Sequence, residues 1–178
     1  DEAGMLCGWV MTEQTTITIP EGQPNYNSSM CSFPQISIDA EDNIFVAYMM
    51  LAPDYTNAEF MYRHVALNSS YDLGNSWVGL FDLNADIQYI FSECAYPAMP
   101  PVIDDEVFVL FQEDTYPGIN QWLTNHDPVE CRMMFMAIDK NTFVGVKEDK
   151  YADEIEFSVY PNPVTDKIYM NVNLMAES

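Results

Sequence analysis

Two arginines, Arg63 and Arg132, fall inside short apolar runs, F-M-Y-R-H-V and C-R-M-M-F-M, where a strand would fix their directions. Guanidiniums held this way can grip a carboxylate, each through a planar fork of N–H donors, and they are the catalytic candidates of the chain. The competing use is pairing with the chain's own acids. Carboxylates come in two close groups, Asp104, Asp105, Glu106 and Glu113, Asp114. Facing carboxylates can perform glycosidic acid/base chemistry. Adjacent acids on a strand, however, point to opposite faces, and the first group sits where a turn is expected. His64 and His126 are the only histidines, and no H-E-x-x-H or comparable cluster accompanies them, so no zinc site is expected. The turn D-A-E-D-N, Asp39 to Asn43, offers hard oxygens suited to calcium but lacks the calcium-loop spacing. No cofactor is expected, and calcium is the one ion the composition favours.

The loop T-Y-P-G-I-N-Q-W-L, Thr115 to Leu123, places Tyr116, Ile119, Trp122 and Leu123 in what should be a plain connection. Large apolar residues in a loop can cap the underlying sheet, contact a partner or stack on a sugar. Tyr116 and Trp122 are therefore the binding candidates, for a glycan or a protein ligand. Elsewhere the Met and aromatic residues alternate as packed strands do, which makes them core.

The chain has 178 residues, with 28 acidic against 6 basic ones and a formal charge of −22. Such a charge repels nucleic acid and anionic lipid, so neither is an expected partner. The acids are dispersed, as on a solvated surface. No apolar run reaches the 18 or so residues needed to span a bilayer, and no membrane span is expected. The opening D-E-A-G has neither the basic start nor the apolar core of a signal peptide. It reads as a mature product or as the later part of something longer.

The elements that must position these residues are strands. M-L-C-G-W-V-M (Met5 to Met11) and T-T-I-T-I (Thr15 to Ile19) lead, and Pro20, Gly22 and Pro24 end them. Four strands follow: Q-I-S-I to Ile38, I-F-V-A-Y-M-M (Ile44 to Met50), F-M-Y-R-H-V (Phe60 to Val65) and W-V-G-L-F-D (Trp77 to Asp82). The pattern then recurs. C-S-F-P (Cys31 to Pro34) returns as C-A-Y-P (Cys94 to Pro97), an offset of 63. At the same offset Asp42 meets Asp105, I-F-V meets V-F-V (Val107 to Val109) and Tyr48 meets Phe111. N-S-W-V-G-L (Asn75 to Leu80) is echoed by N-T-F-V-G-V (Asn141 to Val146), with Phe143 in place of Trp77. A repeating four-stranded unit of about 60 residues defines an all-β chain of stacked sheets.

Between the third and fourth strands lies S-Y-D-L-G-N-S-W, Ser70 to Trp77. Asp72 can accept hydrogen bonds from the amides of its own turn, Gly74 permits positive φ, and Trp77 starts the outgoing strand as an apolar plug. With Ser70, Asp72, Gly74 and Trp77 at these spacings, the segment resembles the Asp-box, the hairpin repeated in blades of sialidase-like β-propellers. The resemblance implies a partial propeller: residues 5–19 end one blade, 31–82 form a second and 94–148 a third. That is about two and a half blades where closure takes four or more, so an upstream segment or another chain would complete the ring. The counterpart at Asp139 to Phe143 lacks the glycine. Catalytic sialidases also carry an arginine triad and a Tyr–Glu nucleophile pair. Here only Arg63 and Arg132 are placed on strands, and no Arg-Ile-Pro motif is present.

The cysteines Cys7, Cys31, Cys94 and Cys131 allow three full pairings and contain no C-x-x-C unit. Their places in the implied blades favour Cys7–Cys31 and Cys94–Cys131, formed at converging strand ends.

After residue 147 the composition changes to a charged linker, 148–156, and then F-S-V-Y-P-N-P-V-T-D-K-I-Y-M-N-V-N-L. This reads as a strand, a rigid turn held by Pro161 and Pro163, and an alternating strand through Ile168, Met170, Val172 and Leu174. The segment Tyr160, Pro161, Asn162, Pro163 and its sequel resembles the opening of the C-terminal sorting domain of type IX secretion cargo in Bacteroidota, matching it over 157–178. That resemblance implies the secretion machinery as a partner and a place outside the cell or on the outer surface of a Gram-negative bacterium. It also implies passage through an oxidising periplasm. The expectation is an all-β chain, a partial β-propeller with a short β-strand tail. It would act as a glycan- or protein-binding or structural module of an exported surface protein. The alternative is a sialidase-like glycoside hydrolase whose remaining catalytic residues lie in upstream blades.

Overall fold

The computed structural model describes residues 16–21, 29–118 and 127–143 in full, and the backbone of 155–160 and 169–174. The chain divides into two units, Asp1–Gly145 and Val146–Ser178. The described residues are all-β, with two short 3-10 turns as the only helical geometry among them.

In the first unit β1 (Cys31–Ile38), β2 (Ile44–Thr56), β3 (Met61–Ser70) and β4 (Val78–Asp82) form an antiparallel sheet in chain order. Aspartate and asparagine build its turns. Asp39 Oδ1 accepts the amides of Glu41 and Asn43 at 3.0 and 2.9 Å, and Asn57 Oδ1 accepts those of Glu59 and Phe60 at 3.0 and 2.7 Å. These are Asx turns, in which a short polar side chain replaces a backbone acceptor. β5 (Glu93–Ala98), β6 (Glu106–Asp114) and β7 (Arg132–Asp139) make a second antiparallel sheet, again in chain order.

Several strands run past their expected bounds, β3 to Ser70 and β7 to Asp139 among them. β1 starts at Cys31, because a bulge carries the pairing with β2 through C-S-F-P. β2 continues past Met50 through Pro53 to Thr56, with an irregularity between Ala52 and Thr56 that removes the need for an amide at Pro53. Residues 16–19 form no strand: no described strand pairs with them, and alternation alone does not hold an isolated strand. Residues 5–15 lie outside the described residues.

The repeat is visible in the backbone. Phe33 and Tyr96, 63 positions apart, both take positive φ (56° and 54°), an uncommon conformation for aromatic residues. Each sits in a register shift at the same place in its sheet, Ser32/Gln35 and Ala95/Ala98. Their rings meet edge-to-face at 5.1 Å. The sheets are also joined at a parallel seam: Ile38 donates to the Pro101 carbonyl at 3.1 Å, and Ile103 donates back to the Ile38 carbonyl at 3.2 Å. Between the sheets lies the main core, with Phe45, Ala47, Val65 and Leu67 from the first meeting Val107, Val109 and Phe111 from the second.

In the second unit β8 (Ile155–Tyr160) and β9 (Tyr169–Leu174) pair antiparallel, from Ile155↔Leu174 to Tyr160↔Tyr169. Tyr160 ends β8. Pro161, Asn162 and Pro163 lie outside the described residues.

Candidate functional site

The candidates converge most closely where β5 begins, β6 ends and β7 begins. Glu113 on β6 lies directly opposite Arg132 on β7, and the two form a fork: Arg132 Nε donates to Oε2 at 2.7 Å and Nη2 to Oε1 at 2.9 Å. The Ser92 hydroxyl adds a third bond to Glu113, at 2.7 Å. The Glu113 carboxylate is buried while Arg132 is largely exposed, so the pair has a dry acid and a wet base. Hydrogen bonding to Glu113 and its charge raise the Arg132 pKa further. Beside them, buried Glu93 accepts the Arg63 amide at 2.6 Å and the Gly118 amide at 3.0 Å. Asp114 accepts the Tyr116 amide at 2.8 Å. Glu93 and Asp114 thereby pin the start of the Tyr116 loop to β3, β5 and β6. Tyr62 from β3 reaches the same loop, its hydroxyl 3.5 Å from the Thr115 carbonyl, and burial followed by the Glu93 charge pushes its phenol up.

Arg63 is buried on β3, with Nη1 3.4 Å from the carbonyls of Ser29 and Met30. The two arginines therefore serve different partners within the chain and do not form a shared clamp. Glu113 and Asp114 are both engaged by donors, Asp104 and Asp105 are exposed in the turn before β6, and Glu106 is exposed as its first residue. Tyr116 is half-exposed at the rim. Trp122, Ile119, Leu123 and His126 lie outside the described residues.

The Ser70–Trp77 turn has the bonding its residues predict. Asp72 Oδ1 accepts the Ser70 hydroxyl at 2.9 Å and the Ser76 amide at 2.8 Å, and the Ser70 hydroxyl oxygen accepts the Gly74 amide at 2.8 Å. Hydrogen bonds from the Ser76 hydroxyl and amide hold the Asp72 carboxyl below its ordinary value. Gly74 has φ 86°, and a Cβ there would have room, so conformation and not space requires the glycine. Trp77 packs on Val46, Tyr48, Met50 and Ala66, with its buried indole N–H unpartnered. Phe143 occupies the corresponding side of the second sheet, against Val109 and Phe111. Trp77→Ala is expected to cost about 2–4 kcal/mol, near the lower end for core aromatics because the ring is only partly covered. Trp77→Phe should be neutral or stabilising, since it removes an unpaired buried donor. Chemical denaturation reads both, and equal losses would deny the ring its plug role.

The turn considered for calcium is filled from within. Asp39 Oδ2 accepts Asn43 Nδ2 at 2.9 Å and Lys140 Nζ at 3.0 Å, and Lys140 also reaches Glu41 at 3.0 Å. Among the described residues no group of three or more His, Cys, Asp and Glu side chains is arranged to hold a metal. Burial alone would raise the Asp39 carboxyl, but bonds from Asn43, Lys140 and the Glu41 amide outweigh it and hold the group at about 2, against an ordinary 3.8. A depressed folded pKa means stability that is present above about pH 4 and lost as the pH falls through about 2, on the order of 1 kcal/mol after screening. Asp39→Asn should flatten the stability–pH curve across that window. An unchanged acid limb would remove the clasp from the account.

The cysteines correct one expectation. Cys94 and Cys131 are free thiols, as is Cys31. Cys94 lies opposite Glu113, which lies opposite Arg132, so two strand spacings, about 9–10 Å, separate β5 from β7. That exceeds the Cα span of about 7 Å that a disulfide tolerates. Cys94 is buried in the core, where desolvation and neighbouring carboxylates push its pKa well up. The sulfur of Cys131 instead lies 3.3 Å from Gln112 Nε2. Cys7 lies outside the described residues.

One pair was not singled out in the sequence. Buried His64 on β3 holds Asp82 on β4 through Nδ1, 2.7 Å from Oδ2, with the Tyr55 ring at 4.4 Å. Asp82 also accepts the Asn84 amide at 2.8 Å, and Asn84 Oδ1 accepts the Val65 amide at 2.7 Å. The cluster ties the outer strand down.

Comparison of the chain with family models, curated proteins and solved structures finds no match.

Proposed function

We propose that residues 31–143 are consecutive blades of an Asp-box-type β-propeller, serving as a glycan- or protein-binding or structural module of an exported surface protein. The observation that carries this reading is the repeated unit itself. Two antiparallel sheets in chain order share an aromatic positive-φ bulge at the same offset, and the Ser70–Trp77 turn joins the last two strands of the first. The resemblance of the segment from Tyr160, the last residue of β8, to the opening of a type IX sorting domain supports export through that machinery. The binding edge is the rim carrying Tyr116, whose stretch buried Glu93 and Asp114 hold in place. An exposed aromatic on an anchored stretch suits a ligand with one flat face. The hydrolase reading is weaker, because Arg63 and Arg132 are both occupied by acceptors of this chain.

A glycan array and a surface-protein pull-down with the full chain test the binding role. Tyr116→Ala should reduce any captured signal at least tenfold while leaving the melting temperature unchanged. Retained binding in that variant would move the site elsewhere. Turnover of fluorogenic sialosides that depends on Arg132 would replace binding with catalysis.

A further inference from the structure

The pairing registers align the two sheets residue by residue. Phe45 and Ala47 on β2 correspond to Phe108 and Leu110 on β6, 63 positions on. Opposite them, Leu67 pairs with Ala47 as Phe135 pairs with Leu110, and Val65 pairs with Met49 as Met133 pairs with Gln112. The four residues of the first sheet, Phe45, Ala47, Val65 and Leu67, are 0% exposed, because the second sheet covers them. Their four counterparts, Phe108, Leu110, Met133 and Phe135, are apolar too, yet they are 37, 39, 63 and 63% exposed. Charge on this face lies at its two ends, at the facing pair Glu106 and Asp139 and at the buried pair Glu93 and Asp114. Phe108 and Phe135 stack on each other at 5.6 Å and 23°, so part of each ring face is taken up by the other ring. That geometry suits interdigitating side chains better than a sugar ring.

We propose that this outward face of the second sheet is a docking face for a further sheet of the same repeat. The occupant meets it with a stripe of the Val107, Val109, Phe111 kind, as the second sheet meets the first. The contact is head-to-tail: each sheet offers one face of each type, so a stack extends in one direction. This rests on the stacked-repeat part of the proposed function and is independent of ring closure. One added sheet reports on stacking alone, whereas the number of blades in a longer parent bears on the propeller.

The test lengthens the full chain by a tandem copy of residues 81–143 placed directly after Phe143, with Ala137→Ser marking the added copy. Hydrogen peroxide oxidation of Met133 is followed by peptide mass spectrometry, with buried Met49 as the slow reference. In the unmodified chain Met133 should oxidise fast. In the tandem chain the first Met133 should be protected at least tenfold, and the added one should keep the rate of the unmodified chain. Phe135→Asp in the first copy should abolish that protection, while the same change leaves the melting temperature of the unmodified chain in place. Equal, fast oxidation of both copies overturns the proposal, as does a tandem chain that gains no strand signal by circular dichroism. Protection of the unmodified chain by soluble oligosaccharides without protection in the tandem chain assigns the face to a glycan instead.

Discussion

Phe111→Ala is expected to destabilise the first unit by about 3–5 kcal/mol, the range for emptying a fully buried aromatic site. Phe111 is 0% exposed and stands on β6 where the second sheet meets the first, with Tyr89 edge-on at 6.1 Å. The cavity would open among Phe45, Val65 and Leu67, and the strands around it are tied at too many points to collapse into it. Phe111→Leu keeps most of the volume and should cost less than about 1.5 kcal/mol. Urea unfolding followed by tryptophan fluorescence measures both. A loss under about 1 kcal/mol for the alanine variant would mean that the sheets do not pack in solution as described.

Glu93→Ala should be the most damaging polar change. It leaves two buried amides, those of Arg63 and Gly118, without the carboxylate that accepts them. Each unsatisfied buried donor costs about 1–3 kcal/mol, so a total of about 2–6 kcal/mol is expected. Glu93→Gln should fall between, since its amide retains one acceptor oxygen and turns an N–H toward the other donor. The readout extends beyond stability. Gly118 lies two residues past Tyr116, so amide exchange at Thr115 and Tyr116 should quicken in the alanine variant. Unaltered exchange there would separate Glu93 from the loop.

The repeat was legible because its punctuation is chemical. Asp39 and Asn43 mark a turn, and Pro34 and Pro97 mark the two bulges, in a form that a single sequence displays. The aromatic plug at Trp77 and its counterpart Phe143 was legible for the same reason. The left-handed turns at Phe33 and Tyr96 were not, since an aromatic residue before proline ordinarily signals extended backbone. The Cys94–Cys131 pairing failed because the strand ends do not converge: pairing persists through Cys94, Glu113 and Arg132. The His64–Asp82 pair is 18 residues apart, and its only signal was indirect. Once the Ser70–Trp77 turn sets the register, Ala66 faces Asp82, and His64 is its diagonal neighbour. The Glu113–Arg132 fork was hidden by the long connection between β6 and β7, whose length left the register open.

The clasp at Lys140 also bears on how the chain acquires its shape during synthesis. The first sheet is a meander whose strands follow one another directly, so it can assemble as soon as residue 82 has emerged. Lys140 reaches back 101 residues to Asp39, and the Ser69 hydroxyl reaches forward 74 residues to the Phe143 carbonyl. Neither link exists until the last residues of the second sheet have left the ribosome. Until the second sheet arrives the nascent sheet carries Phe45, Ala47, Val65 and Leu67 uncovered, a vulnerability that vectorial growth imposes and that Val107, Val109 and Phe111 end.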